Sequence, residues 1–236
     1  MPEDKPSAEM APETEAFIKW LHGRRSDFNM DRLARFAASL DSAGYLGQHM
    51  VDVPRFKNRR QLLTAAAGLA ALPGLVLEFG VFSGKSIRIL ADLFTGPVYG
   101  FDSFQGLPEE WVGPGSHGRH QKGHFATDPP AVPGNVELIA GWFNETLPGF
   151  MQSHPGDIQL LHVDCDLYSS TRTIFESCAD RIKPGTVIVF DEYLNYANWR
   201  EHEYKAFQEF IQESGRKYAY TGVIPNGQQV SVVITE

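Results

Sequence analysis

Leu75 to Phe79 is an apolar run broken only by Glu78, and it passes directly into Gly80-Val81-Phe82-Ser83-Gly84-Lys85-Ser86. A carboxylate buried in such a strand is costly unless something at the strand end uses it. Gly80 and Gly84 let the backbone bend and a ligand come close. Ile87, Leu90, Ala91 and Phe94 then continue at helical spacing, with Ser83 placed to cap the helix. Strand, glycine turn and helix in this order open a nucleotide-type crevice of an α/β sheet.

Two common versions of that turn do not fit. A phosphate-cradling P-loop has four residues between its first glycine and its Gly-Lys-Ser, whereas this chain has three. A dinucleotide fingerprint wants G-x-G-x-x-G after the strand, but the residues after Gly80 are Val81 and Phe82. Glu78 favours a cationic ligand over a pyrophosphate.

From Leu75 onward strands and helices alternate, the pattern of a mostly parallel sheet covered on both faces. Pro97 to Asp102 is a second strand ending on a carboxylate, 24 residues after Glu78, where ribose hydroxyls are held in such folds; the competing reading is a turn cap. Asn135 to Ala140 is a third, followed by Gly141 and Trp142, with Trp142 either against an adenine ring or in the core. A helix follows over Thr146 to Gln152. Ile158 to Val163 delivers Asp164-Cys165-Asp166, in which period two directs both acids to one pocket and Cys165 away from it. Thr186 to Phe190 delivers Asp191-Glu192. Helices over Leu167 to Ile182 and Trp199 to Ser214 flank that strand. Two late strands, Tyr218 to Val223 and Gln229 to Thr235, are joined through Asn226-Gly227 as an antiparallel hairpin. The fold class is therefore α/β, a Rossmann-like doubly wound sheet of seven strands closed by that hairpin, with added N-terminal helices.

Asp164, Asp166, Asp191 and Glu192 meet at the carboxyl edge of adjacent strands, where they repel one another unless a cation sits among them. Oxygen donors of this kind suit magnesium, manganese or calcium better than zinc. Capping of the next helix accounts for one or two of these acids, Asp166 among them, and not for four.

The rest of the chain sets limits. A formal charge of −8 and a pI near 5.5 argue against nucleic acid as a partner. Cys165 and Cys178 form neither a disulfide framework nor a zinc spacing, no apolar run reaches the length of a membrane span, and the acidic, proline-rich start does not resemble a signal peptide. A cytoplasmic protein is expected. Residues 1–15 are too polar to pack and read as a disordered extension, residues 16–74 as a helical region at a sheet edge or a homodimer contact with nothing catalytic in it, and residues 75–236 as the main domain. Residues 104–134, rich in Gly, Pro and His and holding Trp111, His117, His120 and His124, read as a lid.

Glu78-Phe79-Gly80-Val81-Phe82-Ser83-Gly84, Phe101-Asp102-Ser103-Phe104-Gln105-Gly106-Leu107-Pro108, Val163-Asp164-Cys165-Asp166-Leu167-Tyr168 and Phe190-Asp191-Glu192-Tyr193 together resemble the macrocin O-methyltransferase family. These are class I S-adenosylmethionine-dependent enzymes whose members methylate sugar hydroxyls of natural products with magnesium. The resemblance implies that Glu78 and Gly80 lie by the methionine portion of the cofactor and that Asp102 holds the ribose with Ser103 beside it; Ser86, Gly141, Trp142 and Asp164 are further candidate cofactor-binding residues. It implies Asp166 as general base and Asp164, Asp191 and Glu192 as metal ligands. Sugar-modifying members carry a second aspartate where Glu192 stands, so its contact with metal is either direct or through water. The implied acceptor is a small-molecule hydroxyl, on a sugar or glycoside, with a catechol or phenol as the alternative and a non-catalytic cofactor-binding accessory protein as the alternative of another class.

Overall fold

The computed structural model describes residues 12–22, 27–111 and 120–236. Three helices come first: α1 (Pro12–Leu21), α2 (Met30–His49) and α3 (Arg59–Leu69). The sheet and its helices follow as β1 (Leu75–Phe79), α4 (Lys85–Leu93), β2 (Val98–Asp102), β3 (Val136–Ala140), α5 (Phe143–Ser153), β4 (Ile158–Val163), α6 (Tyr168–Cys178), β5 (Val187–Phe190), α7 (Glu203–Ser214), β6 (Tyr218–Val223) and β7 (Val230–Ile234). The strands form one sheet in the order β3-β2-β1-β4-β5-β7-β6, with β7 antiparallel to both neighbours, as the alternation and the Asn-Gly connection require. From β1 the chain steps outward to β2 and β3, then crosses back to β4. The crevice between β1 and β4 is therefore the topological switch point, where ligands of open α/β sheets bind.

Both faces of the parallel strands are buried. Val76, Val98, Leu160, Val187 and Val189 meet Leu62, Leu63 and Ala66 of α3 and Ile87 and Leu90 of α4. The alternate residues Leu77, Phe79, Phe101, Leu161, Val163 and Phe190 pack with Ile174, Phe175 and Phe207 from α6 and α7. Period-two alternation thus supplies two cores from one set of strands.

Several local expectations change. Pro12 to Glu15 form the first turn of α1, while residues 1–11, and His117 within 112–119, lie outside the described residues. Ser83 does not cap α4; the N-cap is Gly84 in a left-handed conformation (φ +74°), with no side-chain cap. The helix expected over Trp199 to Ser214 is split: a 3-10 turn at Trp199–Glu201 precedes α7, and His202 between them has non-helical backbone.

The segment before α3 is sewn to the end of β6. Phe56 N–H donates to the Val223 carbonyl (2.9 Å), and Val223 N–H donates to the Pro54 carbonyl (3.1 Å). Asn58 then caps α3 by accepting from Gln61 N–H at 3.0 Å. This fixes the first residue of α3, Arg59, at the carboxyl edge of the sheet.

Candidate active site

The sheet ladder continues one residue beyond each strand at the crevice. Gly80 N–H donates to the Phe101 carbonyl (2.9 Å), Asp164 N–H to Phe79 (2.8 Å), Asp191 N–H to Val163 (2.9 Å) and Gly141 N–H to Asp102 (3.0 Å). Asp164 and Asp191 are therefore placed by backbone register at neighbouring strand tips. A cavity of about 640 Å³ opens above them, lined by Gly80, Asp102, Trp142, Asp164, Asp166, Asp191 and Glu192 among others. That volume falls within the usual size of small-molecule sites.

Asp164 to Asp166 lie past the end of β4, so strand period does not orient them. Asp166 adopts a left-handed backbone (φ +65°), and Cys165, expected to face away, also lines the cavity. Phe82 (φ +45°) and Phe104 (φ +55°) share that uncommon region on the loops after β1 and β2. Such conformations in non-glycine residues concentrate where a site dictates the chain path. Asp166 does not cap α6, whose N-cap is Leu167 without a side-chain bond.

Two cations already stand among the acids. Arg59 reaches from α3 with Nη1 3.3 Å from Asp164 Oδ2 and Nη2 in contact with Asp191 Oδ2. This corrects the expectation that the N-terminal helices contribute nothing to the site. His162, fully buried on β4, has Nδ1 2.9 Å from Glu78 Oε2 and Nε2 3.9 Å from Asp191 Oδ1. Burial alone would lower the His162 pKa, yet Asp191 and Glu78 outweigh it and raise it to about 10, so the ring is an imidazolium at neutral pH.

Six carboxylates, those of Glu78, Asp164, Asp166, Asp191, Glu192 and Glu203, share this region with the two cations. Asp191, between His162 and Arg59, has its pKa held below the ordinary value despite burial. Burial, reinforced by neighbouring acids, pushes Asp164 and Glu192 well above theirs and Asp166 up to about 7. Like charges about 4 Å apart repel by roughly 4 kcal/mol in surroundings of intermediate polarity, so this acid excess strongly favours a further cation.

Glu203, the first residue of α7, is fully buried. Its Oε1 accepts from Cys165 N–H (3.4 Å) and its Oε2 from Glu192 N–H (3.1 Å), tying the tips of β4 and β5 together. Burial, with Asp166 nearby, pushes its pKa well upward.

The cofactor side divides into pocket and support. Glu78 is fully buried, with Oε1 accepting from Ser86 Oγ (3.1 Å) and Oε2 facing His162, so it supports the pocket floor from beneath. Asp102 accepts from Val81 N–H (2.9 Å), Phe82 N–H (2.8 Å) and Phe104 N–H (2.7 Å), binding the two glycine-rich loops to each other. A carboxylate has about four acceptor sites, which leaves one for a ligand hydroxyl. Ser103 makes a local turn, accepting from Gln105 N–H at 3.1 Å. In the expected lid, Trp111 and His120 stack at 5.2 Å and Phe125 meets Phe82 at 5.6 Å across the mouth.

Among the described residues, His162, Asp164 and Asp191 have ligand atoms within 4.8 Å of one another, and Glu192 stands outside that group. Asp191 Oδ1 and Glu192 Oε2 are buried without a hydrogen-bond partner. The unpartnered Glu192 oxygen beside partly open Asp164 and the Oδ2 side of Asp191 makes an oxygen-donor set that fits a hard divalent ion.

A seven-stranded sheet of this order, with a glycine turn after β1 and acids at the tips of β2, β4 and β5, defines a class I methyltransferase fold. A methyltransferase-domain family model matches residues 77–193 of the chain. It is similar to the 8-demethyl-8-(2,3-dimethoxy-alpha-L-rhamnosyl)-tetracenomycin-C 4'-O-methyltransferase of Streptomyces olivaceus, at 29% identity over 61% of this chain and 62% of that protein. It is also similar to the demethyldecarbamoylnovobiocin O-methyltransferase of Streptomyces niveus, at 26% identity over the same shares. The chain thus spans about 62% of the length of these curated relatives. The structure of CalS11, a calicheamicin methyltransferase, shares the fold with a TM-score of 0.56 at 22% identity, covering 74% of this chain and 80% of that one. No helix among the described residues is long and apolar enough to cross a membrane.

Proposed function

We propose that this protein is an S-adenosylmethionine-dependent O-methyltransferase, assisted by a divalent ion, that acts on a hydroxyl of a small molecule of the sugar or glycoside class. The observation that carries this reading is the meeting of Asp164, Asp166, Asp191 and Glu192 in one cavity with Gly80, Asp102 and Trp142. The curated relatives, both named as O-methyltransferases of natural products and one of a rhamnosyl group, support the reaction and the acceptor class.

Gly80 leaves the turn after β1 open to the methionine end of the donor, and the remaining acceptor capacity of Asp102 holds a ribose hydroxyl. Trp142 offers a flat face to the adenine ring. Asp164 and Asp191 would hold the ion, with Glu192 reaching it directly or through water. Bound there, a divalent cation lowers the pKa of the acceptor hydroxyl and stabilises the negative charge that develops on its oxygen. Asp166 takes the proton. An ordinary aspartate is a weak base, but one raised to about 7 by burial and by Asp191 is well matched to the task.

Calorimetry with S-adenosylmethionine, followed by transfer of labelled methyl to nucleotide sugars, glycosides and catechols before and after chelation, tests this reading. Donor binding with cation-dependent labelling of a sugar hydroxyl is expected. Binding without labelling of any hydroxyl favours the accessory-protein alternative, and turnover untouched by chelation removes the metal.

A further inference from the structure

Of the two cations described among the acids, Arg59 is the one with a partly exposed side chain. His162 is enclosed between Glu78 and Asp191 and is fully buried, whereas the Arg59 side chain is 34% exposed and stands on the first residue of a helix. Arg59 takes Oδ2 of Asp164 and Oδ2 of Asp191, bridging the two tips from the cavity side. Asp191 Oδ1 is buried and turned toward His162, so Oδ2 is the oxygen that Asp191 can offer to the cavity. A divalent ion that uses Asp164 and Asp191 meets a guanidinium already holding the same two carboxylates, and like charges at that distance repel strongly.

We propose that Arg59 is a built-in competitor of the metal: its guanidinium neutralises Asp164 and Asp191 in the cation-free protein, and loading of a divalent ion displaces it toward the cavity mouth. This inference rests on the metal reading given above. The device keeps the tips of β4 and β5 assembled without the ion and sets the cation concentration at which the site fills.

The test is Mn2+ titration of the full chain, followed by electron paramagnetic resonance, for the wild type and for Arg59→Met, with circular dichroism to confirm folding. The wild type is expected to bind Mn2+, and Arg59→Met to bind it about tenfold more tightly or better, on the scale of one like charge removed from beside the ion. Arg59→Ala gives a second readout that a merely structural role does not move. Free guanidinium chloride should weaken Mn2+ binding to this variant beyond the effect of sodium chloride at the same ionic strength, and should not do so in the wild type. Equal or weaker Mn2+ binding by a folded Arg59→Met, or no specific guanidinium effect on Arg59→Ala, overturns the competition while leaving the metal reading in place. Binding of Mn2+ to none of the three proteins overturns both.

Discussion

Glu78 and His162 are register partners on adjacent strands, and their side chains meet at 2.9 Å with both residues fully buried. The pair connects β1 to Asp191 at the tip of β5, because the other ring nitrogen of His162 faces that aspartate. His162 from below and Arg59 from above both favour the ionised form of Asp191 against its burial.

Removing one member of such a buried pair leaves the other uncompensated, at a cost of about 3–5 kcal/mol. Glu78→Ala is expected to lose stability on that scale in urea unfolding. Glu78→Gln combined with His162→Gln should cost less than the sum of the single changes, as a coupled pair requires. Additive losses would show that the two residues act separately.

Gly80 is fixed by both conformation and space. It sits at φ +94°, and a Cβ there would lie 1.7 Å from the Asp164 carbonyl oxygen. Gly80→Ala must push the β4 tip aside and is expected to cost at least about 3 kcal/mol. Thermal unfolding with and without S-adenosylmethionine checks this: the variant should have a lower midpoint and a smaller shift on adding the donor.

Much of this arrangement is legible in the sequence. The apolar runs between helical segments give the sheet, and the acids that close those runs give Asp102, Asp164, Asp166, Asp191 and Glu192. Arg59 was not legible, because the 105 positions separating it from Asp164 are bridged only by the pinning of Phe56 to Val223, which no local periodicity reports. His162 left a usable signal: a polar residue in an apolar strand, at the height of Glu78 in its neighbour, is an internal ion pair in waiting. Glu203 is hard to pick out among the charges of α7, although it lies four residues before Phe207 and seven before Phe210, on the helix's buried face. Asp164 and Asp166 line one cavity, as their spacing suggests, although the left-handed turn at Asp166, and not strand alternation, brings them there.

Glu203 accepts from two backbone N–H donors, those of Cys165 and Glu192. Leaving a buried donor unsatisfied costs about 1–3 kcal/mol, so Glu203→Ala should lose roughly 2–5 kcal/mol and weaken Mn2+ binding by loosening the spacing of the two acid-bearing tips. Chemical denaturation and metal titration on the same preparation check both effects. Full stability with unchanged Mn2+ affinity would show that the tips keep their spacing without it.

Asp166→Asn isolates the proton acceptor. Asparagine tolerates the left-handed backbone of this position and has nearly the same shape, so folding and donor affinity should be preserved. Turnover on an accepted hydroxyl should fall by about 10²–10⁴-fold, the usual contribution of a general base. Steady-state rates with donor affinity measured by calorimetry check this, and activity within a fewfold of the wild type would assign the proton to another group.

The most direct test of a cation beside the methyl donor is nuclear magnetic resonance of bound S-adenosylmethionine carrying a ¹³C-labelled methyl group, titrated with Mn2+. The account predicts strong paramagnetic broadening of the S-methyl signal, lost when Asp164→Asn and Asp191→Asn are combined. A methyl signal that stays sharp while Mn2+ is bound would contradict it.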